Sequence, residues 1–221
     1  MSQFNAIVKR DIAIAFRAGG GAFNGIVFYC LGVLIFSIAV GPNPALLSTL
    51  APAIIWAMIL FSGTISLDRL FRDDIEDGSI DALLETARPL AMLPLAKATA
   101  HWFSALLPLL IITPVTALLL SVPETSLWPL LISLLIGSPA LSFYGTLGAA
   151  ITASLSRATL LLALLTLPFL TPTLIFGVGV ANSPSMADIG FFPQLLFLGA
   201  TTLFAGAICP LAASAVLRLN S

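Results

Sequence analysis

A run of acidic residues near the middle of the chain is the part of the sequence most suggestive of chemistry. Asp73-Asp74-Ile75-Glu76-Asp77 has the spacing DDxxD, which in prenyl-transferring enzymes holds magnesium on a diphosphate. Carboxylates one helical turn apart can share a hard cation such as Mg²⁺. That chemistry needs a second acidic motif facing the first, and the sequence has no other acid pair. A membrane-embedded transferase using this cluster stays an alternative function, but we predict no metal site.

Other catalytic motifs fail sooner. Asp77-Gly78 matches the start of the motif of membrane CDP-alcohol phosphotransferases, but Asp81-Ala82 stands where that motif has Ala-Arg. The single histidine, His101, excludes a metal site built on two histidines, and no GxxxxGK[ST] phosphate loop is present. We therefore expect that the chain is not an enzyme, that it binds no cofactor directly, and that it cannot hydrolyse ATP by that route.

The composition predicts an integral membrane protein. Hydrophobic residues make up 59% of the 221 residues and charged residues 9%, whereas soluble domains carry about 25% charged residues. This excludes a cytosolic enzyme, a nucleic-acid-binding protein and a disordered chain. A helix needs about 20 apolar residues to cross a bilayer. Six such runs predict an all-α polytopic protein with one transmembrane domain and spans at about residues 22–40, 46–67, 98–121, 127–154, 158–181 and 194–217.

The basic residues predict the orientation of these spans. All nine lie in the N-terminal segment, between spans two and three, after span four or after span six. Because cytoplasmic loops are enriched in Lys and Arg, both termini are predicted to be cytoplasmic. Before span one, Phe4, Ile7, Val8 and Ile12 recur at helical spacing, which predicts a short helix along the inner membrane surface.

Residues 68–97 form the one strongly polar segment. They hold seven of the ten acidic and four of the nine basic residues, so a soluble partner or substrate is expected to act here. The pattern predicts that span two continues as an amphipathic helix until Gly78 breaks it. Ser79 is then expected to cap a second helix, whose apolar stripe comprises Ile80, Leu83 and Leu84.

The stretch Leu67–Ser79, with the sequence LDRLFRDDIEDGS, resembles a signature of the haem exporter protein B family, the CcmB subunits of cytochrome c maturation. Leu95-Ala96-Lys97, Ala100-His101-Trp102 and Gly137-Ser138-Pro139 match the family as well. The resemblance extends from about residue 5 to the C-terminus. Arg88-Pro89 departs from it, since a more apolar pair is expected before that proline.

The resemblance implies a permease subunit of the ABC-2-like kind, working as a homodimer on a separate ATPase dimer. It implies as partners a CcmA-type ATPase, CcmC-type and CcmD-type membrane proteins and a CcmE-type haem chaperone. It also implies a bacterial inner membrane, or a mitochondrial one in some lineages. ATP would be hydrolysed by the partner ATPase, and this hydrolysis would drive either haem export or release of the haem-loaded chaperone. An ABC-2 permease for another lipid-like or polymeric substrate stays open.

Within this hypothesis the residues receive specific roles. Axial haem ligands are His, Met, Cys or Tyr, and these are scattered over the spans, which favours mechanical work on partners over a haem channel. His101 is expected to hydrogen-bond to the 68–97 segment. Pro139, Pro168 and Pro172 are candidate hinges, with nearby threonines satisfying the freed carbonyls. The residues predicted to couple the chain to the ATPase are Arg69, Phe71, Arg72, Asp73, Asp74, Asp77, Ile80, Leu83 and Leu84.

Overall fold

A computed structural model describes residues 3–17, 21–86, 89, 91–153, 155, 158–183 and 186–220, and the regular structure of these residues is entirely helical. The helices are α1 (Gln3–Arg17), α2 (Gly21–Val40), α3 (Pro44–Thr64), α4 (Arg69–Glu76), α5 (Ser79–Thr86), α6 (Met92–His101), α7 (Leu107–Leu119), α8 (Glu124–Thr152), α9 (Ala158–Ala181) and α10 (Phe191–Asn220), with a π-helical turn (Trp102–Leu106) between α6 and α7.

Six helical stretches within the described residues are long and apolar enough to cross a membrane. They comprise α2, α3 together with α4, α6 through α7, α8, α9 and α10. This confirms the all-α class and the six spans. The third stretch begins at Met92 rather than near residue 98, and the fourth at Glu124 rather than 127. The predicted N-terminal helix is also present as α1.

The outside of the bundle is apolar. Ile38 on α2, Leu164 on α9 and Leu203 on α10 are 71%, 70% and 76% exposed. Many other large apolar side chains on these helices are exposed as well, so this surface suits a hydrocarbon solvent and not water. Helix α8 lies at the centre and packs against α9 and α10, and also against α3, α6 and α7.

Glycines allow the helices to approach closely around Trp56. The indole is fully buried, and its Nε1 donates a hydrogen bond to Ser133 Oγ on α8 at 3.1 Å. A Cβ atom at Gly137 on α8 or at Gly177 on α9 would collide with the indole ring. Trp56 of α3 therefore packs between α8 and α9 at positions where each helix has a glycine and no side chain. This agrees with the role of small residues in membrane helix packing.

The π-helical turn in the third span has a local cause. The N–H of Leu107 donates to the carbonyl of Trp102, five residues earlier. Pro108 has no N–H to offer the carbonyl of Ser104 and its ring crowds that carbonyl, so the preceding turn widens. Trp102 Nε1 donates to Ser138 Oγ on α8 at 2.9 Å, which anchors the widened turn to the central helix.

A second apolar core lies at one end of the bundle. It joins Ile7 of α1, Phe71 of α4 and Ile80 of α5 to Leu93 of α6 and Leu217 of α10, with small residues from the end of α8. We call this end of the bundle the basic end, because the seven described Lys and Arg residues lie on the elements that meet there: Lys9, Arg10, Arg17, Arg69, Arg72, Lys97 and Arg218.

Candidate functional site: the charged helices at the basic end

Helix α4 continues the second span beyond the bundle, as predicted. A four-residue turn after α3 leads directly into α4, and Asp77 closes its last turn by donating its N–H to Asp73 O at 3.1 Å. Gly78 then has a φ of +76°. That backbone conformation favours glycine over any side-chain-bearing residue, so the predicted break falls at Gly78 and α5 leaves α4 in a new direction.

The start of α5 differs from the prediction. Ser79 is the first helical residue and not the cap, and its N–H donates to Asp77 Oδ1 at 2.9 Å. Its hydroxyl donates instead to Asp74 Oδ1 at 3.2 Å. The hydrogen bonds from Ser79 lower the pKa of the exposed Asp77 carboxyl. Asp77 thus fixes the turn between the two short helices, while Ser79 joins α5 to α4.

Asp74 is the meeting point of four helices. Its carboxylate lies on the buried side of α4, one turn from Phe71. Lys97 Nζ of α6 lies 2.5 Å from Asp74 Oδ2, and Arg10 Nη2 of α1 donates to Asp74 Oδ1 at 2.7 Å. With Ser79 from α5, this one side chain contacts three neighbouring elements. Asp74 is therefore buried among helices of the chain itself, and its predicted role in coupling to the ATPase stays a prediction.

Lys97 of α6 is the second member of this group of charged residues. Its side chain is 4% exposed, and its ammonium donates to Asp11 Oδ2 at 3.1 Å and to the carbonyl of Leu70 at 2.7 Å. The ammonium also lies 5.4 Å from the ring centroid of Phe71, within the range of a cation–π contact. A buried ammonium is expensive unless it is paired and hydrogen-bonded. Lys97 has two carboxylates beside it, Asp11 and Asp74, and donates hydrogen bonds to Asp11 and to the Leu70 carbonyl.

Arg10 and Asp11 close the network on α1. Arg10 Nε donates to Asp11 Oδ1 at 2.9 Å. Burial by itself would lower the pKa of Arg10, but the charges of Asp11 and Asp74 outweigh it and the pKa is raised. We call the four residues Arg10, Asp11, Asp74 and Lys97 the charge network. It holds two positive and two negative groups, so it is electrically balanced.

The other predicted coupling residues divide by exposure. Arg69, Asp73 and Asp77 are exposed, and Arg72 is half-buried with Nη2 donating to the carbonyl of Leu155 at 3.4 Å. Phe71 is 1% exposed and lies in the second apolar core, so it is no free anchor for a partner.

The apolar stripe of α5 also turns toward the chain itself. Ile80 is part of the second apolar core and Leu83 packs against it, so within this chain both side chains already have apolar neighbours. Their predicted role in coupling stays a prediction. The side chain of Leu84 lies outside the described residues. The role of the exposed residues as a coupling surface stays a prediction.

A cleft of about 130 Å³ opens over the charge network. Arg69 and Asp73 of α4 line one side of it, Ile14 and Ala15 of α1 the other, and His101 lies at its inner end. Among the described residues no three His, Cys, Asp or Glu side chains converge as metal ligands. Asp74 and Asp77 are directed at Lys97 and Ser79, so the DDxxD spacing does not produce a shared cation site in this arrangement.

His101 makes contacts other than the expected ones. Its Nδ1 lies 2.9 Å from Ser142 Oγ on α8, and its Nε2 lies 3.1 Å from both the Gly63 carbonyl and Ser66 Oγ. It therefore joins the third span to the end of the second and to the central helix, and not to the 68–97 segment. Both ring nitrogens are engaged, which leaves neither free to bind iron in this conformation.

The three candidate hinge prolines lie inside continuous helices, Pro139 in α8 and Pro168 and Pro172 in α9. The threonines beside them behave differently from the prediction. Thr166 donates to Leu162 O and Thr171 to Leu167 O, whereas the two prolines leave the carbonyls of residues 164 and 168 without helical donors. Thr173 Oγ1 is buried without a hydrogen-bond partner. Bending at these prolines stays a prediction.

The site residues that sequence reasoning missed are Arg10, Asp11 and Lys97. The signal for Lys97 was present, because it is the one charged residue in the mostly apolar stretch Ala91–Ala100. The adjacent opposite charges of Arg10 and Asp11, beside the apolar face of the predicted α1, were a weaker signal. Neither signal identifies the partner, since Arg10 meets Asp74 across 64 residues of sequence and Lys97 meets Asp11 across 86.

This combination defines a class: a polytopic all-α membrane protein with a set of short charged helices fastened to one end of its bundle. Within that class, the chain belongs to the CcmB protein family, whose profile it matches over residues 2–220.

Similar curated proteins agree over nearly the full length. The chain is 43% identical to the "Heme exporter protein B" of Bradyrhizobium diazoefficiens over 218 residues, 99% of this chain and 98% of the relative. It is 41% identical to the protein of that name from Haemophilus influenzae, over 98% of each chain, and 37% identical to that from Escherichia coli K12, over 99% of each.

Proposed function

We propose that the chain is the membrane permease subunit of an ABC-type haem exporter that serves cytochrome c maturation in the inner membrane of a bacterium. The observation that carries this proposal is the match to the CcmB family over residues 2–220, together with relatives named heme exporter protein B that align end to end. Six spans and a charged helical segment at the basic end support it, because a transporter subunit without a nucleotide site needs a contact with its ATPase.

The ATPase is a separate, CcmA-type subunit that docks at the basic end. Its contact surface comprises the exposed residues of α4 and the following turn: Arg69, Asp73 and Asp77, with Arg72 beside them. Exposed charges at the rim of a protein–protein interface determine the orientation of the partners and the association rate more than the affinity. The buried residues Phe71, Asp74 and Ile80 hold this surface in place from behind. Both termini and residues 68–97 are accordingly cytoplasmic.

Haem is a substrate of the assembled complex, either exported as such or carried by the chaperone, and is not a resident cofactor of this chain. The engaged nitrogens of His101 favour mechanical work on partners over iron ligation inside the bundle. ATP hydrolysis in the partner drives either haem export or release of the haem-loaded CcmE-type chaperone, with CcmC-type and CcmD-type proteins in the same complex. The chain works in this complex as a homodimer.

Two other functions receive less support. An ABC-2 permease for another lipid-like or polymeric substrate would share this architecture. The relatives that align with this chain over nearly their full lengths, however, are named heme exporter protein B. A transferase using the acidic run would need its carboxylates directed at one cation, whereas Asp74 is ion-paired and Asp77 bonds to Ser79.

Complementation tests the proposal. In a bacterium whose own CcmB-family gene is deleted, this chain is expected to restore c-type cytochromes, measured by haem staining of membrane proteins, and to copurify with the ATPase subunit. Asp73→Asn combined with Arg69→Gln is expected to reduce the copurified ATPase severalfold. The matched control is Glu124→Gln at the opposite end of the bundle, which should change neither. No restoration by the wild-type chain, despite normal insertion, would contradict the proposed function.

A further inference from the structure

We infer that Lys97 and Asp74 are positioning residues that carry movement of the α4–α5 pair into the third span, and that Arg10 and Asp11 make α1 move with them. This inference rests on the proposed function, since it assigns the path by which a push on the exposed face of α4 reaches the membrane. Lys97 lies in α6, and α6 continues through the π-helical turn into α7.

The contacts form an unbroken connection between the proposed docking surface and the span. Asp73 is exposed to a partner, and the adjacent Asp74 is buried against Lys97 with an ion pair of 2.5 Å. Lys97 also donates a hydrogen bond to the carbonyl of Leu70, so it contacts both the backbone of α4 and the Asp74 side chain. One turn further along α6, His101 ties the same helix to Ser142 of the central helix.

The choice of charged groups at this place also points to positioning. Replacing a buried ion pair by well-packed apolar residues is often neutral or stabilising, and the second apolar core already supplies such packing around Phe71 and Leu93. What the charged groups add is directional contacts, because hydrogen bonds and ion pairs fix the relative orientation of the helices more narrowly than apolar packing does. Asp74 accepts from Arg10 and Ser79 and pairs with Lys97, so the relative placement of α1, α4, α5 and α6 is defined by one carboxylate, and the four helices move as a unit.

The double variant Lys97→Met/Asp74→Asn tests this inference in the complete complex with its ATPase. It removes one charge of each sign and leaves the Arg10–Asp11 pair intact. We expect the purified complex to keep at least half of its ATP hydrolysis, while c-type cytochrome per complex falls at least tenfold. A merely structural defect would reduce both in proportion to the amount of complex. Cytochrome formation within twofold of wild type would overturn the inference.

Single variants keep the test decisive if the double variant assembles poorly. Lys97→Arg retains the charge and is expected to support at least five times more cytochrome per complex than Lys97→Met, and equal values for the two would overturn the inference. Lys9→Gln, at an exposed neighbour of Arg10 on α1, is the control and should match wild type. If the wild-type chain itself failed to support cytochrome formation, the proposed function would be contradicted. That outcome differs from failure of this inference, in which the wild-type chain works and the variants work equally well.

Discussion

His101 Nδ1 lies 2.9 Å from Ser142 Oγ, in a buried contact that joins the third span to the central helix α8. The same imidazole contacts the Gly63 carbonyl at the end of α3. One side chain thus holds three spans together immediately before the π-helical turn, at the level where the charged helices meet the bundle.

Replacing His101 with Ala is expected to destabilise the bundle by about 1–2 kcal/mol. The buried hydroxyl of Ser142 and the carbonyl of Gly63 would lose their shared partner. A buried polar group left unpaired typically costs ~1–3 kcal/mol, with membrane hydrogen bonds at the lower end. Thermal unfolding in detergent measures the effect. Lys9→Gln provides the exposed control, and an unchanged midpoint for His101→Ala would show that the contact contributes nothing to stability.

Gly177→Ala is expected to destabilise the chain by about 1–3 kcal/mol, the usual cost of overpacking. The added methyl group would collide with the buried ring of Trp56, which has Ser133 holding its Nε1 and cannot easily withdraw. Gly199→Ala in α10 is the matched control, because nothing lies within 4 Å of a Cβ atom there. Similar unfolding midpoints for the two variants would contradict the close packing at Trp56.

Asp73→Asn and Asp74→Asn are expected to differ although they are neighbours. Asp73 is exposed, so its substitution should change stability by less than about 0.5 kcal/mol. Asp74→Asn leaves Asp11 as the one carboxylate shared by Arg10 and Lys97, at a position where the Asp74 side chain is only 9% exposed. Breaking a buried pair costs about 3 kcal/mol. Unfolding of both purified variants gives the comparison. Equal stability would place Asp74 at the surface.

Reporter tags test the orientation of the six spans. A tag at residue 44, 124 or 187 is expected to report the periplasmic side, and one at residue 78 or at the C-terminus the cytoplasmic side. The reason is the position of the basic residues at one end of the bundle, since Lys and Arg accumulate in cytoplasmic segments. Alkaline phosphatase and fluorescent-protein fusions read the two sides, and one tag on the opposite side would refute the orientation.

Much of the basic end could be foreseen from local pattern. The break at Gly78 follows from glycine chemistry, and the amphipathic character of α4 follows from Leu70, Phe71 and Ile75 at helical spacing. The orientation of Asp74 could not be foreseen in the same way, because a carboxylate among Arg72, Asp73 and Glu76 is expected at a solvated face. The partners that draw it inward, Arg10 and Lys97, belong to other helices.

The sequence by itself determined which segments are helical, how many of them can cross a membrane and that the charges gather at one end. Those properties depend on hydropathy and backbone preference, which act over one or two helical turns. Only the tertiary structure decided how far α4 is rotated about its axis, so that Asp74 is buried together with the apolar face. Once Phe71 enters the apolar core with Leu93, Asp74 one turn later must face the same way, and a buried carboxylate requires cations beside it. The charge network is therefore a consequence of how α4 is rotated about its axis, which long-range packing sets.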